Sequence, residues 1–114
     1  MSFMLTTEQV RNRTKTVTRR LGWKFLKPGD IINAVEKCQG LKKGEKIKKI
    51  CQIRIVRTSN EPLCSITPED VTKEGFPLLT EYGFVLMFCR EMKCYPHAKV
   101  TRIEFEYIES EKVT

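Results

Sequence analysis

The spacing of apolar and polar positions changes several times along the chain, and each change marks an element. Thr6-Thr7-Glu8-Gln9-Val10 predicts a helix start, with a hydroxyl cap and an acid in the first turn. The apolar period is lost from Asn12 to Thr18, so this helix is short, and Lys15 to Arg20 reads as a turn or short extended piece. Lys27-Pro28-Gly29-Asp30 predicts a turn, because proline presets its own φ and glycine accepts the positive φ that follows. Ile31 to Cys38 predicts a strand, and Gln39 to Lys46, with two glycines and three lysines, an exposed loop. Between Ile47 and Thr58 the residues alternate: Ile47, Lys49, Cys51, Ile53 and Ile55 share one face, and Lys48, Gln52 and Arg54 the other. Thr67-Pro68-Glu69-Asp70 opens a helix with a capping hydroxyl, proline at the first helical position and acids in the first turn, and Gly75 closes it. Thr80 to Met92 predicts a further helix, with Val85, Met87 and Phe88 near core spacing. Lys99 to Ile108 is the clearest strand, with Ile103, Phe105 and Tyr107 opposite Arg102, Glu104 and Glu106.

Strands without regular helical crossovers argue against a parallel sheet. The expectation is an α+β fold: a small mixed or antiparallel β-barrel with two to three short helices packed on it. The 114 residues, 40% of them hydrophobic, suit one domain over 1–114, with a core of about 3–108 and a frayed tail at 109–114. No run approaches the roughly 18 apolar residues of a membrane span, and Met-Ser-Phe-Met-Leu turns polar too soon for a secretory signal. The expected location is the cytoplasm. Five cysteines, odd in number and without tight pairing, are expected as reduced thiols, most of them small core residues.

Charge alters this picture. Residues 1–57 hold 15 Lys or Arg against 4 Asp or Glu, whereas residues 58–114 hold 6 against 10. Such asymmetry points to an anionic partner, most commonly nucleic acid. The concentration is highest at Lys15-Thr16-Val17-Thr18-Arg19-Arg20, preceded by Arg11 and Arg13. Hydroxyls beside guanidinium groups suit phosphate or carboxylate binding. Lys15 and Thr18 share a face on a helical turn but not on a strand, so their convergence requires the chain to turn or bulge between them.

Lys15-x-x-Thr18-x-Arg20, then Lys27-Pro28-Gly29-Asp30 before a strand, then Ile66-Thr67-Pro68-Glu69-Asp70-Val71 and Glu74-Gly75-Phe76-Pro77, resembles the ASCH family over about residues 3 to 108. The family commonly has glycine two positions before the motif lysine; this chain has Arg13. The resemblance implies a PUA-like barrel that binds RNA or a nucleotide in a cleft beside the motif. Some small members are amidohydrolases that release acetate from 4-acetylcytidine with a lysine, a threonine and a glutamate. Carried over, the resemblance makes Thr18 the attacking oxygen, Lys15 its base and Glu74 the group that relays or orients a proton. An ordinary lysine, with a pKa near ~10.4, is a poor base at neutral pH. The chemistry therefore requires burial or neighbouring cations such as Arg13, Arg19 and Arg20.

The candidate ligand-binding set is Arg13, Thr16, Arg19, Arg20, Trp23, Lys42 and Lys43. Trp23 and Phe25 follow the basic segment as base stacking would use them, or as a structural staple. The lysine-rich stretch Lys42 to Lys49 suits non-specific phosphate contacts, or only a solvated loop. Cys89-x4-Cys94-x2-His97 carries soft ligands but no Cys-x-x-Cys pair, so incidental cysteines are the default and no metal or other cofactor is expected. Three functions follow: an RNA- or nucleotide-binding domain, an amidohydrolase acting on acylated nucleosides, and a protein-interaction domain working through its acidic half.

Overall fold

The computed structural model describes residues 1–37 and 41–109. Cys38, the first residues of the expected loop (39–40) and the tail at 110–114 lie outside the described residues. The described elements are a 3-10 turn at Met4–Thr6, α1 (Thr7–Arg11), β1 (Val17–Arg20), β2 (Ile31–Val35), β3 (Lys49–Pro62), a second 3-10 turn at Leu63–Ser65, α2 (Pro68–Lys73), α3 (Glu81–Met92) and β4 (Lys99–Tyr107).

The strands form one sheet in the order β1-β4-β3-β2, with every adjacent pair antiparallel. β3 is long and bulged: its register against β4 shifts between Ile55 and Arg57. Such an insertion bends the strand and increases its twist, which curls the sheet. An isolated parallel bridge joins Ser2 to Val35. There the Phe3 N–H donates to Val35 O at 2.8 Å and the Val35 N–H to Met1 O at 2.9 Å. The N-terminal segment thus lies along the β2 edge, while β1, about fifteen residues later, pairs at the opposite edge. The intervening turn and α1 cross the open side, making a half-barrel.

Alternation along β4 divides the interior in two. Ile103 and Phe105 enter one cluster with Phe3, Val10, Leu26, Ala34, Ile53 and Ile55. Val100, on the opposite face of β4, enters the other with Leu63, Ile66, Val71, Phe84, Val85 and Phe88. Arg102 shares the Val100 face and reaches α2.

The local signals act as expected. Gly29 takes φ +95° in the Lys27–Asp30 turn, where the Asp30 side chain accepts from the Lys27 N–H at 2.9 Å. Thr67 Oγ1 accepts from the Asp70 N–H at 3.2 Å, capping α2 behind Pro68. Thr80 caps α3 through the Gly83 N–H at 3.0 Å. Thr6, by contrast, makes no side-chain cap; the 3-10 turn precedes α1 instead, and the Thr7 hydroxyl donates back to Phe3 O at 2.9 Å. β3 begins two residues later than expected, leaving Ile47 exposed, and runs on to Pro62. Among the described cysteines, Cys64 is exposed, and Cys51, Cys89 and Cys94 are partly buried and pack against the margins of the core rather than fully inside it.

Candidate functional site

The loop before β1 sets the geometry. Arg13 adopts φ +63°, the left-handed conformation that glycine takes most readily, and so turns the chain between α1 and β1. This is the position where glycine is common in the family that the sequence resembles. Gln9 O then accepts the N–H groups of Thr14 at 2.9 Å and Lys15 at 3.2 Å. The Tyr107 hydroxyl donates to Lys15 O at 2.5 Å. Lys15 therefore stands before the strand and Thr18 within it, and both line one cleft. The turn lies at Asn12 and Arg13, before Lys15, and not between Lys15 and Thr18 as expected.

Glu74 enters from the end of α2. Its Oε1 accepts from Lys15 Nζ at 2.6 Å, and its main-chain oxygen accepts from the same ammonium at 2.7 Å. Gly75, at φ +101°, follows directly, and its carbonyl accepts from the Gln9 side-chain amide at 3.2 Å. A Cβ at position 75 would lie 2.8 Å from Gln9 Cγ, so only glycine lets α1 close on this corner. The Glu74 side chain also binds Arg19, whose Nη1 lies 3.2 Å from Oε2. Arg19 Nη2 continues to Asp70 at 2.5 Å and Glu61 at 3.1 Å, and Arg102 grips Asp70 with two bonds of 2.6 and 3.0 Å.

Three cations thus meet three carboxylates in a compensated, largely buried network. Lys15, Arg19 and Glu74 are each 3% exposed. Burial pushes the Lys15 ammonium below its ordinary pKa, assisted by Arg20 and Arg19 and opposed by Glu74. Asp70 is held down to about 2, chiefly by its bonds to Arg102 and then by those to Arg19, against the opposing effect of burial.

The cleft has a volume of about 670 Å³, within the range that holds a drug-sized molecule. Lys15, Thr18 and Glu74 contribute to its polar lining, with Arg19, Arg20, Lys37, Glu91 and the hydroxyls of Ser2 and Thr6. Phe3, Trp23, Phe76, Phe84, Met87 and Phe88 supply much of the rest. Thr18 is buried, and its Oγ1 accepts from Arg20 Nε at 3.2 Å. The Arg20 guanidinium also lies 4.8 Å from the centre of the Phe3 ring. Trp23 is held at φ +64°, costly for a bulky side chain, and packs on Phe25 with ring centres 5.4 Å apart.

Of the other expected ligand residues, Arg13, Thr16, Lys42 and Lys43 lie outside the cleft lining. Arg13 lies over the Tyr107 ring at 5.6 Å and pairs with Glu109, away from the cleft lining. Thr16 is tied by its main chain: its N–H donates to Lys73 O at 2.8 Å and its carbonyl accepts from the Phe105 N–H at 3.0 Å. Lys42 and Lys43 are exposed and outside the cleft lining. Arg19 is committed to carboxylates. Among the described residues no group of three or more His, Cys, Asp or Glu is arranged to hold a metal, and His97 stacks on Tyr95. Sequence reasoning gave no site role to Phe3 or Glu61, and assigned Gln9 and Asp70 only to helix starts and Tyr107 and Arg102 only to the two faces of a strand. The contacts of Gln9, Glu61, Asp70, Arg102 and Tyr107 span 32 or more positions.

No family model and no curated protein matches the chain. Among solved structures, a DUF984 protein from Enterococcus faecalis is similar with a TM-score of 0.61 and 16% identity, over 91% of this chain and 70% of that one. An ASCH domain from Lactobacillus crispatus is similar with a TM-score of 0.57 and 15% identity, over 90% and 70%. The likeness is one of fold: a small α+β architecture like that of the ASCH domain. No helix of the described residues is long and apolar enough to cross a membrane.

Proposed function

We propose that this ASCH-like fold binds a nucleoside or nucleotide in the cleft beside β1. One observation carries the reading: Lys15, Thr18 and Glu74 share a single ligand-sized cleft with Arg20, Trp23 and several phenylalanines. Aromatic faces and a cation suit a nucleobase, and the hydroxyl and ion pair offer fixed donors and acceptors to its polar edge. The neutralised state of Lys15 and Arg19 favours a compact ligand over an extended phosphate backbone. Trp23 is the only tryptophan, so its fluorescence reports on the cleft. Titration with cytidine and its monophosphate is expected to change that fluorescence saturably, and calorimetry on Trp23→Leu to show weakened binding. RNA binding with a steep salt dependence, indicating about five or more phosphate contacts, argues instead for a nucleic-acid surface. No saturable response to any nucleoside, nucleotide or RNA rejects the reading.

A second reading, amide hydrolysis on an acylated nucleoside, is favoured by the buried Lys15–Glu74 contact and the Thr18 hydroxyl in the same cleft. In its neutral form, Lys15 Nζ takes the Thr18 proton as Oγ1 bonds to the acyl carbon. The C–N bond then breaks, and the proton passes to the leaving amine. Water next cleaves the acyl-threonine ester, giving carboxylate and free hydroxyl. Arg20, already bonded to Thr18 Oγ1, is placed to orient the nucleophile. Acetate release from 4-acetylcytidine, abolished in Lys15→Ala and Thr18→Val, is the expected result. Activity that survives Thr18→Val removes the nucleophile from this scheme.

A further inference from the structure

The cleft lies at the seam of the two hydrophobic clusters: Phe3 belongs to the first, and Phe84 and Phe88 to the second, with Phe76 and Met87 packed against that second cluster. Resting on the hydrolytic reading above, we propose that the seam holds the two arms of an amide, and that the second cluster's wall selects an acyl arm larger than acetyl, aryl or branched in character. The order of residues carries the argument. Glu74, on the reacting side, is followed two positions later by Phe76. Phe76 packs on Phe84 with ring centres 5.9 Å apart, and Phe84 on Phe88 at 6.2 Å. Phe84 and Phe88 are buried in the core, so the partly buried Phe76 and Met87 present an aromatic and thioether wall in the same cleft as Lys15 and Glu74. The other arm, the base, has its own surface in Arg20, Phe3 and Trp23. An acetyl group would leave most of the wall without a partner, whereas a benzoyl group adds a flat ring suited to stacked or edge contacts with Phe76 and to sulfur contact with Met87. The bond changes are those given above: the C–N bond breaks, water supplies the second oxygen of the carboxylate, and the amine nitrogen receives the proton.

The test measures kcat/KM for 4-acetyl-, 4-butyryl- and 4-benzoylcytidine with the wild-type protein, Met87→Ala and Phe76→Leu. The expected order rises with acyl size, with benzoyl at least about tenfold above acetyl, since even one methylene in an apolar pocket is worth about that factor. Either variant is expected to lower the benzoyl-to-acetyl ratio at least about threefold, a ratio that a general loss of folded protein leaves unchanged. A flat or falling order, or a ratio unmoved by both variants, overturns the inference. Should none of the three compounds be turned over, their dissociation constants decide. Benzoyl binding tighter than acetyl and weakened in Met87→Ala retains the acyl wall and rejects only the chemistry, whereas equal affinities reject the wall itself.

Discussion

Replacing Glu74 with glutamine removes one charge from a site where Lys15 is 3% exposed and has both of its hydrogen bonds to Glu74. The glutamine keeps the shape but leaves the ammonium buried with no counter-charge. Breaking one partner of a buried pair typically costs about 3–5 kcal/mol. The upper limit follows from titration, because an unpaired Lys15 can shed its proton. Neutralising a lysine of ordinary pKa ~10.4 at pH 7 costs about 1.4 kcal/mol per unit over ~3.4 units, or about 4.6 kcal/mol. Lys15→Met has a smaller expected cost, about 1–3 kcal/mol, because Glu74 keeps Arg19 at 3.2 Å and loses only the ammonium donors. The double variant, with Arg19 still compensated by Asp70 and Glu61, is expected to be more stable than Glu74→Gln alone.

The pH dependence supplies an independent sign. In Glu74→Gln the folded-state Lys15 pKa falls further below the unfolded value, so at neutral pH the unfolded chain binds more protons. Stability must then rise with pH until about 10.4, by at most about 1.4 kcal/mol per unit. Urea denaturation at pH 6, 7.5 and 9 measures both the loss and the slope. A loss below about 1 kcal/mol, a flat pH profile, or a Lys15→Met cost equal to that of Glu74→Gln would each refute the buried-charge reasoning.

Other expectations are more local. Asp70, lowered from 3.8 to about 2, contributes stability that is present above pH 4 and lost as pH falls through about 2. Asp70→Asn should flatten that acid limb, by about 2 kcal/mol, in denaturation followed from pH 5 to pH 2. Thr67→Ala removes the bond to the Asp70 N–H and should cost about 1 kcal/mol by thermal or urea unfolding, with the cleft otherwise intact. Gly75→Ala must both hold φ +101° and displace Gln9, whose Cγ is 2.8 Å from the new Cβ. A loss of about 2 kcal/mol or more, with changed NMR shifts at Lys15, is expected, and a neutral effect would contradict the close approach of α1. Arg13→Gly relieves a left-handed backbone but gives up the contact with Tyr107, so a change within about 1 kcal/mol is expected by urea unfolding.

The sequence by itself determined what depends on near neighbours. The Lys27–Asp30 turn, the cap at Thr67 and the alternation of β4 each rest on residues within a few positions of one another, where backbone sterics and side-chain periodicity act directly. The family resemblance singled out Glu74, whereas the turn expected between Lys15 and Thr18 lies before Lys15, at Asn12 and Arg13. Tertiary structure decided the remainder. β3 continues past Thr58 through polar residues because the β4 backbone completes its ladder from Thr58–Ile103 to Pro62–Lys99, whatever the side chains. Arg19 follows the basic motif's pattern but is drawn into a neutral cluster by Glu61, Asp70 and Glu74, residues 42 to 55 positions away. A charge count along the chain treats these groups as solvated. Only the fold removes them from water, and burial then makes pairing with a carboxylate, rather than with an outside anion, the state that holds their charge.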